Sequence, residues 1–455
     1  MSLTKQAGLL VGAVALTLTG GSYADTTSQA TNDELKARVA ELESRLSAVE
    51  AGKSNHWLTE RRADEIRGLI GDVLADADTR ASLLAQGMTA GYQDGALIQS
   101  SDGNWSLKTN IHMQQRFVYN SQDPAAAGAD DDRVGFENTR TKFILSGNVV
   151  SPDWYYKFEV NFGSHGGTVF DEDDRTDTGD AYIGYDYGNG WGIKVGTYKA
   201  PFLREEMVDS RYQLAVERSL VNYIFTGGRT DGVSANWESD QFRVDFGIND
   251  GINSGQSAFG TPDVDFAISA RGEWLVMGNW DQFMDFTSPS GSETGLLVGA
   301  AFHWETNEDD AAPAAFDADT VLFTVDGSYE AGGWNVYGAF MYKSVEDPSG
   351  VGVEPDQTGI MFQGGYYFTD EWEGFARYEW ADLDTVGADD VSILTFGVNR
   401  YFDGHNAKWT TDLGFALDGI DASVSTADGD ITGFKADAAG DDGQFVLRSQ
   451  LQIVF

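Results

Sequence analysis

The chain ends in GQFVLRSQLQIVF, where Phe445, Leu447, Leu451, Ile453 and Phe455 share one parity and Gln444, Arg448, Gln450 and Gln452 the other. Successive side chains of a β-strand point to opposite faces, so strict alternation describes a strand that separates an apolar from a polar environment. The pattern recurs in DWYYKFEVNFG, with Trp154, Tyr156, Phe158, Val160 and Phe162 set against Asp153, Lys157, Glu159 and Asn161. It recurs again in QFRVDFGIND, with Phe242, Val244, Phe246 and Ile248 against Arg243, Asp245 and Asn249. From about Trp105 to the C-terminus roughly sixteen such segments follow one another, each near or above the 9–11 residues that cross a bilayer at a tilt.

The connections alternate in length. VVSPDW (149–154), YGNGW (187–191), ESDQF (238–242), EAGGW (330–334) and FTDEW (368–372) are short. Long ones fall near 120–135, 163–178, 200–228, 250–262, 306–317, 345–356 and 419–441, while one near 276–293 is longer than its place in the scheme predicts. Short turns on one rim and long loops on the other mark a transmembrane barrel. Trp154, Trp191, Trp334 and Trp372 beside the short turns would form an interfacial girdle. In a closed barrel the last strand pairs with the first and leaves no edge, so the chain can end flush with the sheet. Its terminal aromatic residue also resembles the recognition signal of outer-membrane assembly machinery. The expected fold is therefore all-β, a sixteen-stranded antiparallel transmembrane β-barrel over 91–455, its apolar parity in lipid and its polar parity in the lumen.

Ahead of the barrel, residues 1–24 read as a cleaved signal peptide: Lys5, an apolar stretch from about Ala7 to Leu18, then Ser22 and Ala24 before Asp25. Within 25–55, Leu35, Val39, Leu42, Leu46 and Val49 recur at intervals of four, three, four and three, a heptad seam that predicts a short α-helical coiled coil. One amphipathic helix packed on its own domain is the alternative reading. Residues 56–90 read as a helical linker. No later stretch approaches the roughly 18 apolar residues of a spanning helix. The chain has no Cys, which removes disulfides, thiolate metal sites and cysteine nucleophiles. With 72 Asp and Glu against 30 Lys and Arg the net charge is −42, which excludes nucleic acid as a partner, because phosphate binding needs a basic surface.

Acidic clusters such as Asp130–Asp132, Glu308–Asp310 and Asp441–Asp442 sit in the long loops and predict a negative outer face. DEDDRTDTGD (171–180) lacks the glycine and glutamate spacing of an EF-hand, and no metal or cofactor is expected. Basic residues instead take the polar parity of the strands. Lys108, Arg116, Arg140, Lys142, Lys194, Arg243 and Arg271 are the candidate pore-lining residues, since charge on the lipid face is costly. Glu159, Asp245, Glu273, Asp326 and Asp412 share that face, giving a mixed polar wall. The connection APFLREEMVDSRYQLAVERSLVNYIFTGGRTDG (200–232) carries more apolar residues than an exposed loop needs. Folded into the barrel it would rest those side chains on the wall and narrow the pore, with Arg204, Glu205, Glu206, Arg211, Glu217 and Arg218 setting the constriction. A helical plug or a trimer-contact loop is the alternative.

YQDGALIQSSDGNWSLKTNIHMQQRF (92–117), NTRTKFILSGNVVSPDWYYKFEVNF (138–162) and VGTYKAPFLREEMVDSRYQLAVERSLVNYIFTGGRTDGV (195–233) resemble the phosphate-selective porin O and P family, and with the C-terminal strands the resemblance covers about 92–455. It implies a sixteen-stranded homotrimeric barrel with its third long loop in the lumen. Arg140 matches a basic position on the second strand, and Arg218 and Arg229 match the ER and GGR elements around the loop. It also implies anion or phosphate preference, although here the loop alternates Arg with Glu, and guanidinium groups paired with carboxylates are poorer phosphate ligands than unpaired ones. The coiled coil is an addition to the family's pattern; it would brace the trimer or contact peptidoglycan or another periplasmic partner.

A barrel hydrolase is one competing class. The five histidines show no metal-ligand spacing and neither HExxH nor GxSxG context, and only His112 is read onto a lumen parity. A barrel that merely anchors an envelope tether through the coiled coil is the other. The reading adopted is an outer-membrane porin that passes ions and small hydrophilic solutes without covalent chemistry.

Overall fold

The computed structural model describes residues 36–45, 47, 87–122, 132–163, 177–255, 264, 266–307, 318–346, 354–384, 390–425, 431–437 and 443–455. Contacts divide the chain between Asn104 and Trp105. In the first unit residues 36–45 are helical, with Leu42 on the surface and an Arg45–Glu41 ion pair at 3.0 Å, the i,i+4 spacing that supports an isolated helix. The signal segment, heptad positions Leu35, Leu46 and Val49, and the stretch 60–86 lie outside the described residues. A hairpin of β1 (Met88–Tyr92) and β2 (Ala96–Ser100) turns through Asp94 and Gly95, both at positive φ; the expected boundary at 91 falls within β1.

The second unit holds sixteen strands: β3 (Ser106–Ser121), β4 (Arg133–Val149), β5 (Ser151–Asn161), β6 (Asp177–Gly188), β7 (Trp191–Lys199), β8 (Arg229–Glu238), β9 (Phe242–Asn249), β10 (Phe266–Met277), β11 (Gly295–Asn307), β12 (Ala318–Ala331), β13 (Trp334–Glu346), β14 (Asp356–Tyr367), β15 (Trp372–Asp382), β16 (Val391–Asp403), β17 (Ala407–Ala416) and β18 (Phe445–Val454). Each pairs antiparallel with the next, and β18 returns to β3 in a register that sets Gln452 beside Gln114 and Gln450 beside Arg116. The sheet is closed. Phe455 exchanges both backbone hydrogen bonds with Ile111, at 2.7 and 3.0 Å, so the last residue of the chain completes the ladder.

The barrel is inside-out. Phe242, Val244, Phe246 and Ile248 on β9 are each 44–47% exposed, whereas Arg140, Arg271 and Arg448 on the opposite parity of their strands are at most 2% exposed. An apolar outside and a charged inside suit lipid and a polar lumen. Near the short turns, Trp191 packs beside Trp237, Phe242 stacks on Trp274, and Trp372 meets Trp409, which forms the girdle. The short turns use local chemistry: Asn189 and Gly190 both take positive φ, as a tight hairpin between twisted strands requires.

Between β7 and β8 the chain turns inward. It forms α1 (Arg204–Met207), a 3-10 turn (Ser210–Tyr212) whose Arg211 N–H is capped by Asp209, and α2 (Leu220–Phe225), capped by Ser219. Phe202, Leu203, Leu214, Leu220, Val221 and Phe225 pack on lumen-facing Leu322, Tyr337, Met341, Met361, Phe375, Ile393 and Val446. Burying each such side chain contributes about 1.5–3 kcal/mol, which offsets the entropy of ordering the loop. Gly228 closes the loop's base at φ +54°, a left-handed value that favours glycine, and its carbonyl accepts from Ala200 N–H at 3.0 Å.

Candidate conduction pathway

The inward loop leans on the β12–β18 wall and is fastened there by charge. Glu217 accepts both guanidinium nitrogens of Arg140, at 2.7 and 2.8 Å, and lies 3.6 Å from Arg116. Arg377 donates to the Glu217 carbonyl at 2.8 Å and stands 3.6 Å from Glu205. Arg271 is clamped by Asp326 at 2.7 and 2.9 Å and donates to the Phe202 carbonyl at 2.8 Å. Arg448 is clamped by Asp412, whose carboxylate also accepts the Val216 N–H at 3.0 Å. Bidentate pairing fixes geometry as well as charge, so wall and loop hold one another in register.

The candidate constriction residues therefore divide. Arg204 reaches Ser328 and the Phe283 carbonyl, and Glu205 accepts from Ser219 Oγ and N–H; both lie between loop and wall. The backbone carbonyl of Arg211 takes hydrogen bonds from Lys408 and Gln452, while its guanidinium lies 4.5 Å from the Tyr212 ring. Glu206 and Arg218, 3.2 Å apart, border a cavity of about 50 Å³ together with Arg140, Lys142, Glu159, Asn161, Lys199, Tyr223 and Arg229. From that lining the charges continue as a ladder: Lys142–Glu159 at 2.9 Å, Arg229–Asp180 at 2.9 Å and Lys157–Asp180 at 2.6 Å.

Burial raises the cost of every carboxylate in the loop, and the neighbours decide the outcome. Against burial, Arg218 and Lys199 hold the Glu206 carboxyl down to about 2. Against the same burial, Arg140 and Arg116 keep Glu217 below the usual carboxylate range, and Lys142 with its neighbours keeps Asp209 well below it. For Glu205 burial wins, and its carboxyl is raised despite Arg377 and the Ser219 hydrogen bonds.

Of the candidate wall residues, Arg116, Arg140 and Lys142 meet at the loop, and Arg271 anchors it from β10. Lys194 is half-buried, 4.7 Å from the Tyr198 ring. Lys108 lies half-buried near the start of β3. Arg243 stays at the short-turn rim, paired with Glu238 at 2.7 Å and stacked 4.0 Å from Trp280. Lys199, Asp180 and Tyr223 were not among the candidates. Lys199 closes β7, and alternation does not give the direction of a side chain where a strand turns into a loop. One histidine reading is corrected: His303 faces the lumen as well as His112, bonded to Ser269 at 2.8 Å and Glu305 at 3.0 Å. In GLLVGAAFHWETN both parities are apolar, because one faces lipid and the other carries Leu297 and Ala301 on the lumen side, so the alternation that would have placed His303 is masked. Among the described residues no group of three or more His, Asp or Glu side chains could hold a metal ion.

A closed sixteen-stranded barrel with a lipid-facing apolar surface, a charged lumen and an inward loop defines an outer-membrane porin, a channel for ions and small hydrophilic solutes. The sequence profile described as phosphate-selective porin O and P matches residues 110–423, and the chain belongs to that family. Among solved structures, an anion-selective porin from Comamonas acidovorans superposes with a TM-score of 0.54 at 13% identity, covering 77% of this chain and 100% of that one. OmpF of Salmonella typhi in complex with daunomycin gives 0.52 at 13%, and the outer-membrane channel DcaP of Acinetobacter baumannii 0.52 at 14%, each covering 80% of this chain and 100% of its own. These likenesses are of fold. No curated protein matches the chain at a significant level.

Proposed function

We propose that the protein is a homotrimeric diffusion channel with a moderate preference for anions, and that the preference arises on the β3–β8 side of the lumen. The observation that carries this reading is the lining beside the loop, where Arg140, Lys142, Lys199, Arg218 and Arg229 outnumber the lining carboxylates Glu159 and Glu206, while Glu217 and Asp180 hold Arg140 and Arg229 from behind. A local excess of cations draws anions into a low-dielectric constriction even when the whole molecule is acidic. Because those cations already hold carboxylates, each offers an entering phosphate only part of its donor capacity. Binding of that kind is weak enough to release the ion on the far side, as conduction requires. Residues 1–24 serve as the export signal and 25–55 as a coiled coil that braces the trimer, and the lumen does no covalent chemistry.

Single-channel recording in planar bilayers under a salt gradient tests the reading. An anion-selective reversal potential, with chloride current reduced by added phosphate, is the expected result. A cation-selective current would mean that the acidic loops override the lumen. Absence of conductance steps would favour the tether.

A further inference from the structure

Six connections on the short-turn rim are tight: residue 150 and residues 189–190, 239–241, 332–333, 368–371 and 404–406. The seventh, 278–294 between β10 and β11, runs into the lumen. Its 3-10 turn (Asp281–Met284) buries Phe283, and Phe286, Thr287 and Ser288 are buried beyond it. It touches three other turns of the same rim: Trp280 donates to the Ser239 carbonyl at 2.9 Å, the Gly333 N–H donates to the Ser288 carbonyl at 3.1 Å, and the Asp285 carboxylate lies 3.3 Å from His405 Nε2. The last contact joins β10–β11 to β16–β17 across the interior, because four strands, β12 to β15, lie between the two hairpins along the wall.

The turn also grips the inward loop. Phe283 gives its carbonyl to Arg204, whose guanidinium lies 5.5 Å from the Phe286 ring; Phe286 also packs on Tyr337 of β13 with rings 4.8 Å apart, and His405, the partner of Asp285 on the 404–406 turn, faces the Arg211 carbonyl with Nδ1 at 3.2 Å. Next to the turn on the β5–β9 side of the same rim lies an open vestibule of about 510 Å³, lined by Tyr155, Asp186, Asn236, Glu238, Asp240 and the turn's own Trp280.

We propose that the 278–294 turn is a size-determining element of the channel: it closes the β10–β17 part of the short-turn mouth and forces solutes to leave along the β5–β9 side. Phe286 fills the closed part, and Asp285 and His405 are positioning residues that carry the turn across. This rests on the channel reading and adds a second constriction in series with the loop, which lies deeper in the lumen. Two resistances in series mean that removing either raises conductance, while the larger solutes are excluded by the narrower one.

The test replaces residues 280–293 with Asn-Gly in the full chain, and separately makes the length-preserving variant D285N/F286A. Single-channel conductance and liposome swelling with sugars of graded size are measured, and barrel assembly is checked by heat-modifiable gel migration. The shortened turn is expected to raise conductance about twofold and to admit larger sugars, with a smaller rise and more current noise in D285N/F286A. Unchanged conductance and size limit in D285N/F286A, with the native protein conducting, would overturn the proposal alone; if the shortened variant also assembles, it must agree. A native protein that does not conduct would overturn the channel reading and this proposal with it.

Discussion

At the scale of single residues, Glu217 is the side chain on which the loop most depends, since it sits between Arg140, Arg116 and the Arg377 that holds its carbonyl. Removing one partner of a buried ion pair typically costs about 3–5 kcal/mol, so E217Q should loosen the loop while the lipid-facing barrel stays assembled. The freed Arg140 and Arg116 should also move the reversal potential toward stronger anion selectivity, measured in the same bilayers. Acid acts on the same carboxylates. Glu206, Glu217 and Asp209 titrate below their ordinary values when docked, so their contribution is complete above the ordinary glutamate value of 4.5 and is lost as pH falls through the docked values, about 2 for Glu206. Glu205 is shifted the other way, favouring docking most at low pH, and so partly opposes the three. Conductance should hold steady from neutral pH to 4.5 and become noisy and larger toward pH 2; a change complete by pH 5 would mean that other groups hold the loop. These partners were only half legible in the sequence. The mixture of Arg and Glu at 204–218 marked the loop as charged, but whether Arg204 faces the aperture or the wall depends on Ser328 and Phe283, more than 70 residues further along the chain.

At the scale of elements, alternation is strong where one face meets lipid and the other meets charge, as in β9 and much of β18, and there it placed the side chains it assigned, while Val446 and Val454 face inward and Ser449 outward against it. It fails where the inward loop converts part of the lumen wall into an apolar core. Met341, Met361, Phe375 and Ile393 face inward and would be read as lipid-facing by hydrophobicity alone. The excess length of 276–293 was visible as an anomaly, yet its inward path was not, because that path is set by distant partners such as His405. The lipid face gives a direct test. Phe246 lies mid-strand on β9, so F246R should destabilise the barrel by about 2–4 kcal/mol, read as a lower urea midpoint for unfolding from bilayers. N249R, on the lumen parity of the same strand, should cost less stability and alter selectivity instead, since Asn249 donates to Ser269 inside the barrel.

At the scale of the whole molecule, the net charge of −42 and the cationic lining are compatible because they occupy different places: the acidic surplus lies mainly in the long loops, while the lumen pairs most of its carboxylates with Arg or Lys. Screening separates the two effects. The Debye length is about 10 Å at 0.1 M salt, so the field of solvated carboxylates fades with added salt while the buried cluster is screened much less. Anion preference should therefore increase as salt is raised from about 0.01 M, where the Debye length is about 30 Å, to about 1 M, where it is about 3 Å. Reversal potentials at a fixed tenfold gradient over that range would measure it; a preference that shrinks with salt would place the selective charge on the exposed loops instead. The proposed coiled coil belongs to the same scale, because a heptad seam would stabilise only when copies meet. Deleting residues 25–55 behind the signal should leave single-channel conductance unchanged, since none of those residues lies in the barrel unit, and should lower the temperature at which trimers dissociate on a gel. If the trimer's melting point does not move, the helix at 36–45 serves a partner outside the trimer, and cross-linking to peptidoglycan fragments becomes the next measurement.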